Sequence, residues 1–222
     1  MSASLPGAAL AVRDISVSVR DGTPEWPGDT PYSCRWAWSM AQGASVNVSA
    51  ITMSPHVGTH ADAPLHVRDG WPGSHELPLE PFLGRAAVVD VTRFEGEITI
   101  AQLEGVASLA RVERLLLKSG CTIAAGRFPA RWPTLSEGCV RALLGRGLRL
   151  LGVDTPSVDQ RESTSLPVHH MLFDGGAYNL ENLDLRRVLP GEYELIAPPL
   201  KLMALDAAPV RAVLRELAPP AP

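Results

Sequence analysis

Three stretches in the first quarter of the chain alternate between apolar and polar positions, which is the pattern of a strand with one buried face. The first stretch places Ile15, Val17 and Val19 between polar neighbours, and the other two lie at 34–38 and 46–53. We therefore predict three strands in this part of the chain.

The middle of the chain contains continuous apolar runs in place of alternation. Such runs lie at 86–91, 114–118 and 148–153. They favour strands that are buried on both faces of a sheet. A further strand is predicted near the C-terminus, at 193–197.

Helical signals lie between and after these runs. The segment 99–110 opens with a capping box, and the segment 135–144 has apolar residues at helical spacing. A short helix is predicted at 167–173, and one or two helical turns are predicted at 210–217. This order of elements predicts a single mixed α/β domain, with buried parallel strands from the middle and an antiparallel layer from the N-terminal part.

Composition is that of a globular protein. The chain has 222 residues, 45% of them hydrophobic and 20% charged, which fits one domain over residues 1–222. No apolar stretch reaches the roughly 18–20 residues of a membrane span, so we expect no membrane partner. The two ends, 1–11 and 218–222, are predicted to be flexible.

The charge balance and the cysteines exclude several classes of protein. There are 20 Lys and Arg residues against 24 Asp and Glu residues, a net charge of −4, whereas a nucleic-acid footprint needs a basic excess. The three cysteines form no CxxC pair, so we predict neither a disulfide framework nor a thiolate zinc site. The expected location is the reducing cytoplasm.

Candidate chemistry is concentrated in the segment 56–66. His56, His60, His66 and Asp62 lie within these eleven residues, together with Gly58 and Pro64. Imidazole and carboxylate groups at such short spacing are typical ligands of zinc or manganese. The alternative interpretation is a histidine-rich surface loop. A functional site is favoured because three histidines and an aspartate lie within eleven residues.

A second group of candidate ligands lies downstream. His169 and His170 precede Glu181, and two glycines turn the chain between them. A folded metal site is commonly completed by a histidine and a carboxylate from a separate segment. On their own, the two histidines would more often be capping or core residues.

The segment 56–66 resembles the HxGTHxDxPxH signature of the cyclase-like metal-dependent hydrolase family. The segments 26–29, 152–159, 193–197 and 199–202 resemble the bacterial kynurenine formamidases within that family. The resemblance covers residues from about 12 to 216 and implies a mixed α/β domain with β/β/α layers.

The resemblance also implies a site for two zinc ions, or for manganese or another divalent metal. The implied ligands are five side chains: His56, His60, Asp62, His169 and Glu181. The first two histidines would hold one ion and His169 the other, while both carboxylates would touch the two ions. The family interval of twelve residues to Glu181 selects His169 over His170.

Two further residues receive roles from the resemblance. His66 would be the proton donor and acceptor, and Trp26, in the Pro/Gly-rich segment 26–31, would line the substrate pocket. The implied reaction is hydrolysis of the small molecule N-formyl-L-kynurenine to L-kynurenine and formate, in a homodimer. Trp36 and Trp38 are interpreted as core or dimer-interface residues.

Three alternative functions remain open from the sequence. A related hydrolase could open a lactam such as isatin, and a binding module could hold metal or a small molecule without catalysis. The binding module is disfavoured because His66 would be a proton carrier, which binding alone does not need. A serine hydrolase is disfavoured because the GxSxG frame is absent and Gly73-Ser74-His75 does not supply it.

Overall fold

A computed structural model describes residues 10–109 and 112–218. The strands within these ranges are β1 (Val12–Asp14), β2 (Ser33–Trp38), β3 (Val48–Thr52), β4 (His60–Asp62), β5 (Leu83–Asp90), β6 (Glu97–Ile98), β7 (Arg114–Lys118), β8 (Thr134–Leu135), β9 (Leu150–Val153), β10 (Tyr178–Leu180), β11 (Gly191–Ile196), β12 (Ala207–Pro209) and β13 (Val213–Glu216). The α-helices are α1 (Ile100–Glu104), α2 (Glu137–Gly145) and α3 (Pro167–Asp174). Short 3-10 helices lie at Met40–Gln42, Pro64–His66, Ser74–Glu76, Glu80–Phe82 and Ile123–Ala125.

A seven-stranded mixed sheet forms the centre of the fold, in the order β1-β13-β11-β5-β7-β9-β10. The strands β5, β7, β9 and β10 are parallel, as expected of the continuous apolar runs. The strands β1, β13 and β11 form the antiparallel half. The predicted mixed α/β domain is confirmed, but the antiparallel half of this sheet comes mostly from the C-terminal part of the chain.

Side chains from the two faces of the sheet enter two separate apolar cores. On β7, Leu115 and Leu117 join the cluster that packs under α1, α2 and α3, whereas Leu116 joins the cluster on the opposite face. The alternation follows from the period of two along a strand. The opposite face is covered by the segment around Ile15 and by the small β4–β12 sheet, which contributes Ala61. These layers correspond to the expected β/β/α order.

Two segments differ from their predicted structure. The strand predicted at 15–19 lies earlier in the chain, since the residues that pair with β13 are those of β1, Val12–Asp14. Ile15 and Val17 are nevertheless buried, as the alternation requires. The backbone N–H of Val17 donates instead to the Thr59 hydroxyl at 2.9 Å. The helical turns predicted at 210–217 are wrong: β13 lies between β1 and β11, and pairing on both sides outweighs local helical preference.

The capping box that opens α1 is confirmed, but the helix is shorter than predicted. The Thr99 hydroxyl accepts from the N–H of Gln102 at 3.3 Å, and the Gln102 side chain accepts from the N–H of Thr99 at 2.9 Å. The helix ends at Glu104, where Gly105 follows. Residues 1–9 and 219–222, which hold most of the predicted flexible ends, lie outside the described residues.

The hairpin of β2 and β3 lies apart from the central sheet. Among residues 10–109 and 112–218, its strands pair only with each other, and every residue of β2 is exposed, with Trp36 at 62% and Trp38 at 61%. A core position for these two indoles is therefore wrong for the single chain. No helix among the described residues is both long enough and apolar enough to cross a membrane.

Candidate active site

Strand β4 places two of the predicted ligands on one side of the chain. His60 and Asp62 are two residues apart on an extended strand, so their side chains point the same way, while Ala61 points into the core. The strand is held by β12 on one side and by backbone hydrogen bonds between His60 and Glu181 on the other. The HxD spacing and the pairing with Glu181 thus bring an imidazole and two carboxylates together.

The turn before β4 explains the glycine of the motif. Gly58 has φ +77°, and a Cβ at this position would lie 2.5 Å from a methyl group of Val19. Its carbonyl oxygen is 2.9 Å from Nδ1 of His60. Because a carbonyl only accepts, Nδ1 of His60 carries a proton, and in the neutral ring Nε2, which faces the carboxylates, is an acceptor.

His169 is held in an equivalent way at the start of α3. The carboxylate of Asp159 accepts from the backbone N–H groups of Val168 and His169, at 3.0 Å and 3.1 Å. It also lies 2.7 Å from Nδ1 of His169. Nε2 of His169 therefore faces inward, whereas His170 lies outside the cluster with its Nδ1 3.5 Å from the guanidinium of Arg68.

The structure brings all five predicted ligands together around Asp62. Its carboxylate oxygens lie 3.0 Å from Nδ1 of His56, 3.3 Å from Nε2 of His60 and 3.2 Å from Nε2 of His169. The Glu181 carboxylate lies 3.5 Å from Nε2 of His60 and 3.3 Å from Nε2 of His169. Asp62, Glu181, His60 and His169 are buried, and His56 is partly buried.

The donor set of this cluster fits a divalent cation. Nε2 of His60 and one oxygen of Asp62 are buried and have no hydrogen-bond partner among the described residues. When the His60 ring is neutral and carries its proton on Nδ1, both atoms are acceptors, and buried acceptors without partners are costly. Histidines that donate their other nitrogen to a carbonyl or carboxylate are the usual arrangement at a metal.

The charges of the cluster favour added positive charge. Burial by itself lowers the pKa of His60, but the charges and hydrogen bonds of Asp62 and Glu181 together outweigh it and raise the pKa to about 10. Burial also lowers the pKa of His56, whereas hydrogen bonds to Asp206 and Asp62 raise it to about 9. Burial raises the pKa of Asp62, but the surrounding imidazoles outweigh it and hold that pKa well below its usual value. Either a proton or a metal ion would supply the positive charge that the buried carboxylates favour.

Three residues of the cluster were not assigned by sequence reasoning. Asp159 lies in a segment that carries the family resemblance, but no local signal gave it a role. The Asn179 side chain donates to Asp62 at 2.6 Å and to Glu181 at 3.1 Å. Asp206 contacts His56 and His66 from a loop far along the chain. Only the packing of distant strands reveals the last two.

A cavity of about 320 Å³ opens above the cluster. The imidazoles of His56, His60, His66 and His169 line one part of it, and aromatic side chains line another. Trp26 lines this cavity and is 38% exposed, with its ring 5.5 Å from Phe128 and edge-on. Pockets of this size suit small organic molecules.

His169 and His170 provide a test of the ligand assignment. His169→Ala is expected to lower the bound metal, because its Nε2 faces Asp62 and Glu181. His170→Ala is expected to keep its metal, because that side chain lies outside the cluster. Metal per chain, measured by elemental analysis on both purified variants, decides between them, and loss only in His170→Ala would reverse the assignment.

The chain matches a known family in sequence. A family model described as putative cyclase matches residues 13–160. A kynurenine formamidase of Salinibacter ruber is 43% identical over 218 residues, covering 95% of this chain and 100% of the relative. A kynurenine formamidase of Bordetella avium is also 43% identical, covering 92% of this chain and 97% of the relative. This chain belongs to the putative cyclase family, which confirms the resemblance found in its motifs.

Solved structures agree with the fold. A protein described as a potential metal-dependent hydrolase with cyclase activity has a TM-score of 0.81 and 27% identity, covering 95% of this chain and 100% of that chain. An isatin hydrolase bound to a product analogue, thioisatinate, has a TM-score of 0.80 and 19% identity, covering 93% and 92%. At that identity the second match shows a common fold alone.

Proposed function

We propose that this chain is a metal-dependent kynurenine formamidase that hydrolyses N-formyl-L-kynurenine to L-kynurenine and formate. The observation that carries the proposal is the buried cluster of inward-facing imidazoles and carboxylates beneath an aromatic-lined cavity. The kynurenine formamidases that match over most of this chain support the same reaction.

Two divalent ions, zinc in the first instance, complete the proposed site. His56 and His60 would hold one ion and His169 the other, with Asp62 and Glu181 between them. When bound, such ions polarise a carbonyl oxygen and lower the pKa of a coordinated water. The buried acceptor atoms of His60 and Asp62 support this assignment.

His66 is the proposed proton carrier. Water adds to the formyl carbon, and the C–N bond then breaks to release formate and the aryl amine. An aryl amine leaves poorly as an anion, so its nitrogen needs a proton as the bond breaks. His66 lines the cavity next to His56 and is partly exposed, which leaves its ring accessible to a substrate.

The walls of the cavity match the two parts of this substrate. Trp26 and Phe128 offer aromatic surface to the formylated aryl ring. Glu25 and Asp29 line the same cavity and supply carboxylates for the ammonium group of the amino acid. The cavity therefore combines an apolar wall with acceptors for a cation.

The reaction is tested directly with purified, zinc-loaded protein. Formation of kynurenine from N-formyl-L-kynurenine is followed by absorbance and confirmed by chromatography, with isatin as the alternative substrate. We expect kynurenine formation that stops on chelation and resumes on addition of zinc. Faster turnover of isatin would assign a lactam hydrolase, and no turnover of either compound would favour a binding module.

Trp26 is expected to contact the substrate. Trp26→Ala should raise KM for N-formyl-L-kynurenine with little change in melting temperature, because the indole is partly exposed over the cavity. The matched control is Trp132→Ala, which removes a buried indole that donates to the Asp159 carbonyl at 2.8 Å. The control should lose about 3–5 kcal/mol of stability. A similar loss in Trp26→Ala with unchanged KM would assign Trp26 to the core.

The hairpin of β2 and β3 supports the expected homodimer. An isolated two-stranded hairpin is marginally stable in water, and exposed apolar side chains mark interaction sites. Trp36, Trp38 and Ile51 are exposed on this hairpin. We expect light scattering to give the mass of a dimer, and Trp36→Glu combined with Trp38→Glu to give a monomer. A wild-type monomer would contradict the proposal.

A further inference from the structure

The carboxylate of Asp206 lies between two imidazoles at the edge of the cluster. One of its oxygens is 2.9 Å from Nε2 of His56 and 3.4 Å from Nδ1 of His66. Its side chain is 42% exposed, unlike the buried Asp62. Asp206 is therefore placed at the border between the buried cluster and the cavity side, where His66 lies.

The backbone fixes Asp206 relative to both histidines. The carbonyl of Asp206 accepts from the N–H of Ala63 at 2.8 Å, and β12 begins at the next residue. In that strand Ala207 stands opposite Asp62 on β4. The 3-10 helix Pro64–His66 starts directly after Ala63. The loop that carries Asp206 is thus attached to the segment that carries His66.

We propose that Asp206 is the positioning residue of His66 in the proposed hydrolysis. A carboxylate only accepts, so a hydrogen bond to Asp206 keeps the proton on Nδ1 of His66 and leaves Nε2 to exchange protons with a substrate. Among the described residues, Nδ1 is the nitrogen of the His66 ring that makes a hydrogen bond with a side chain, the carboxylate of Asp206. A distance of 3.4 Å is long, but catalytic hydrogen bonds are often long before substrate binds.

His56 is the competing route by which Asp206 could affect the reaction. The same oxygen contacts His56, a proposed metal ligand, so removal of the carboxylate could act through metal binding. The two routes differ in their consequences. Action through His66 changes kcat at full metal content, whereas action through His56 changes metal content first.

A double-mutant cycle separates these routes. The variants are Asp206→Asn, His66→Ala and their combination, assayed with N-formyl-L-kynurenine at saturating zinc, with metal per chain measured on each. We expect Asp206→Asn to lower kcat by about 10- to 100-fold, which is part of the 10²–10⁴-fold that a general acid–base group such as His66 contributes, with KM changed less than about twofold. In the His66→Ala background, the same substitution should lower kcat no further, because the residue through which it acts is already absent.

One further variant serves as the control, and three outcomes of these assays would contradict the proposal. Asp21→Asn, at an exposed turn, is the matched charge control and should behave as wild type. An equal fall of kcat in both backgrounds, a rate restored by extra zinc, or an unchanged kcat in Asp206→Asn would overturn the proposal.

A second measurement does not depend on turnover. Long-range ¹H–¹⁵N NMR of the imidazole nitrogens should show Nδ1 of His66 protonated in the neutral ring of wild type, and a shift toward the other tautomer in Asp206→Asn. An identical His66 spectrum in both proteins would also overturn the positioning role. If wild type made no kynurenine, the proposed function would fail, while this comparison would still decide whether Asp206 positions His66.

Discussion

Asp62→Asn is expected to abolish both metal binding and hydrolysis. Asp62 is buried at the centre of the cluster, within 3.3 Å of nitrogen atoms of His56, His60 and His169. Asparagine keeps the size of the side chain but removes the negative charge that attracts those imidazoles. Asp62 thus contacts three of the other four proposed ligands.

Metal per chain and kynurenine formation measure this effect. Wild type should carry about two divalent ions per chain in carefully prepared protein, and Asp62→Asn should carry far less and show no turnover above background. Circular dichroism verifies that the variant is folded, and Asp21→Asn again controls for the loss of a surface charge. Full activity in wild type with only trace metal would contradict the metal-dependent proposal.

His66→Ala is expected to give the second largest effect, with metal retained. The loss of a general acid–base group typically lowers kcat by 10²–10⁴-fold. His66 lies at the cavity wall, with its ring 4.5 Å from that of His56 and 5.7 Å from that of His169. It is therefore close to the proposed ligands without entering the buried set.

The measurement pairs kcat with metal content on the same preparation. If His66→Ala loses metal in proportion to its activity, His66 is a ligand and the proposed division of roles is wrong. If it keeps both metal and activity, another group supplies the proton.

Much of the site could be predicted because its core is local in sequence. The residue types of the segment 56–66 predicted a metal site there, although β4, the strand that aligns His60 with Asp62, was not predicted. The apolar runs at 86–91 and 114–118 correctly predicted the parallel centre of the sheet, since strands buried on both faces need apolar residues at every position.

The sequence was misleading where pairing partners are distant. The segment 210–217 has side chains that could form a helical turn, but Val213–Glu216 is a strand because β1 and β11 flank it. Conversely, the alternation at 15–19 correctly predicted the burial of Ile15 and Val17, but not where the ladder to β13 ends. Burial follows from the residues themselves, whereas hydrogen-bond partners depend on what lies alongside.

The sequence by itself determined the family, the ligand types and the choice of the segment 56–66 as the centre of the chemistry. Only the tertiary structure decided that Asn179 and Asp206 join this centre, and that Phe128 lies beside the predicted Trp26 at the cavity wall. The reason is physical. Spacing within a short segment fixes the relative directions of side chains, but contacts between residues more than 100 positions apart exist only after the strands that carry them have paired.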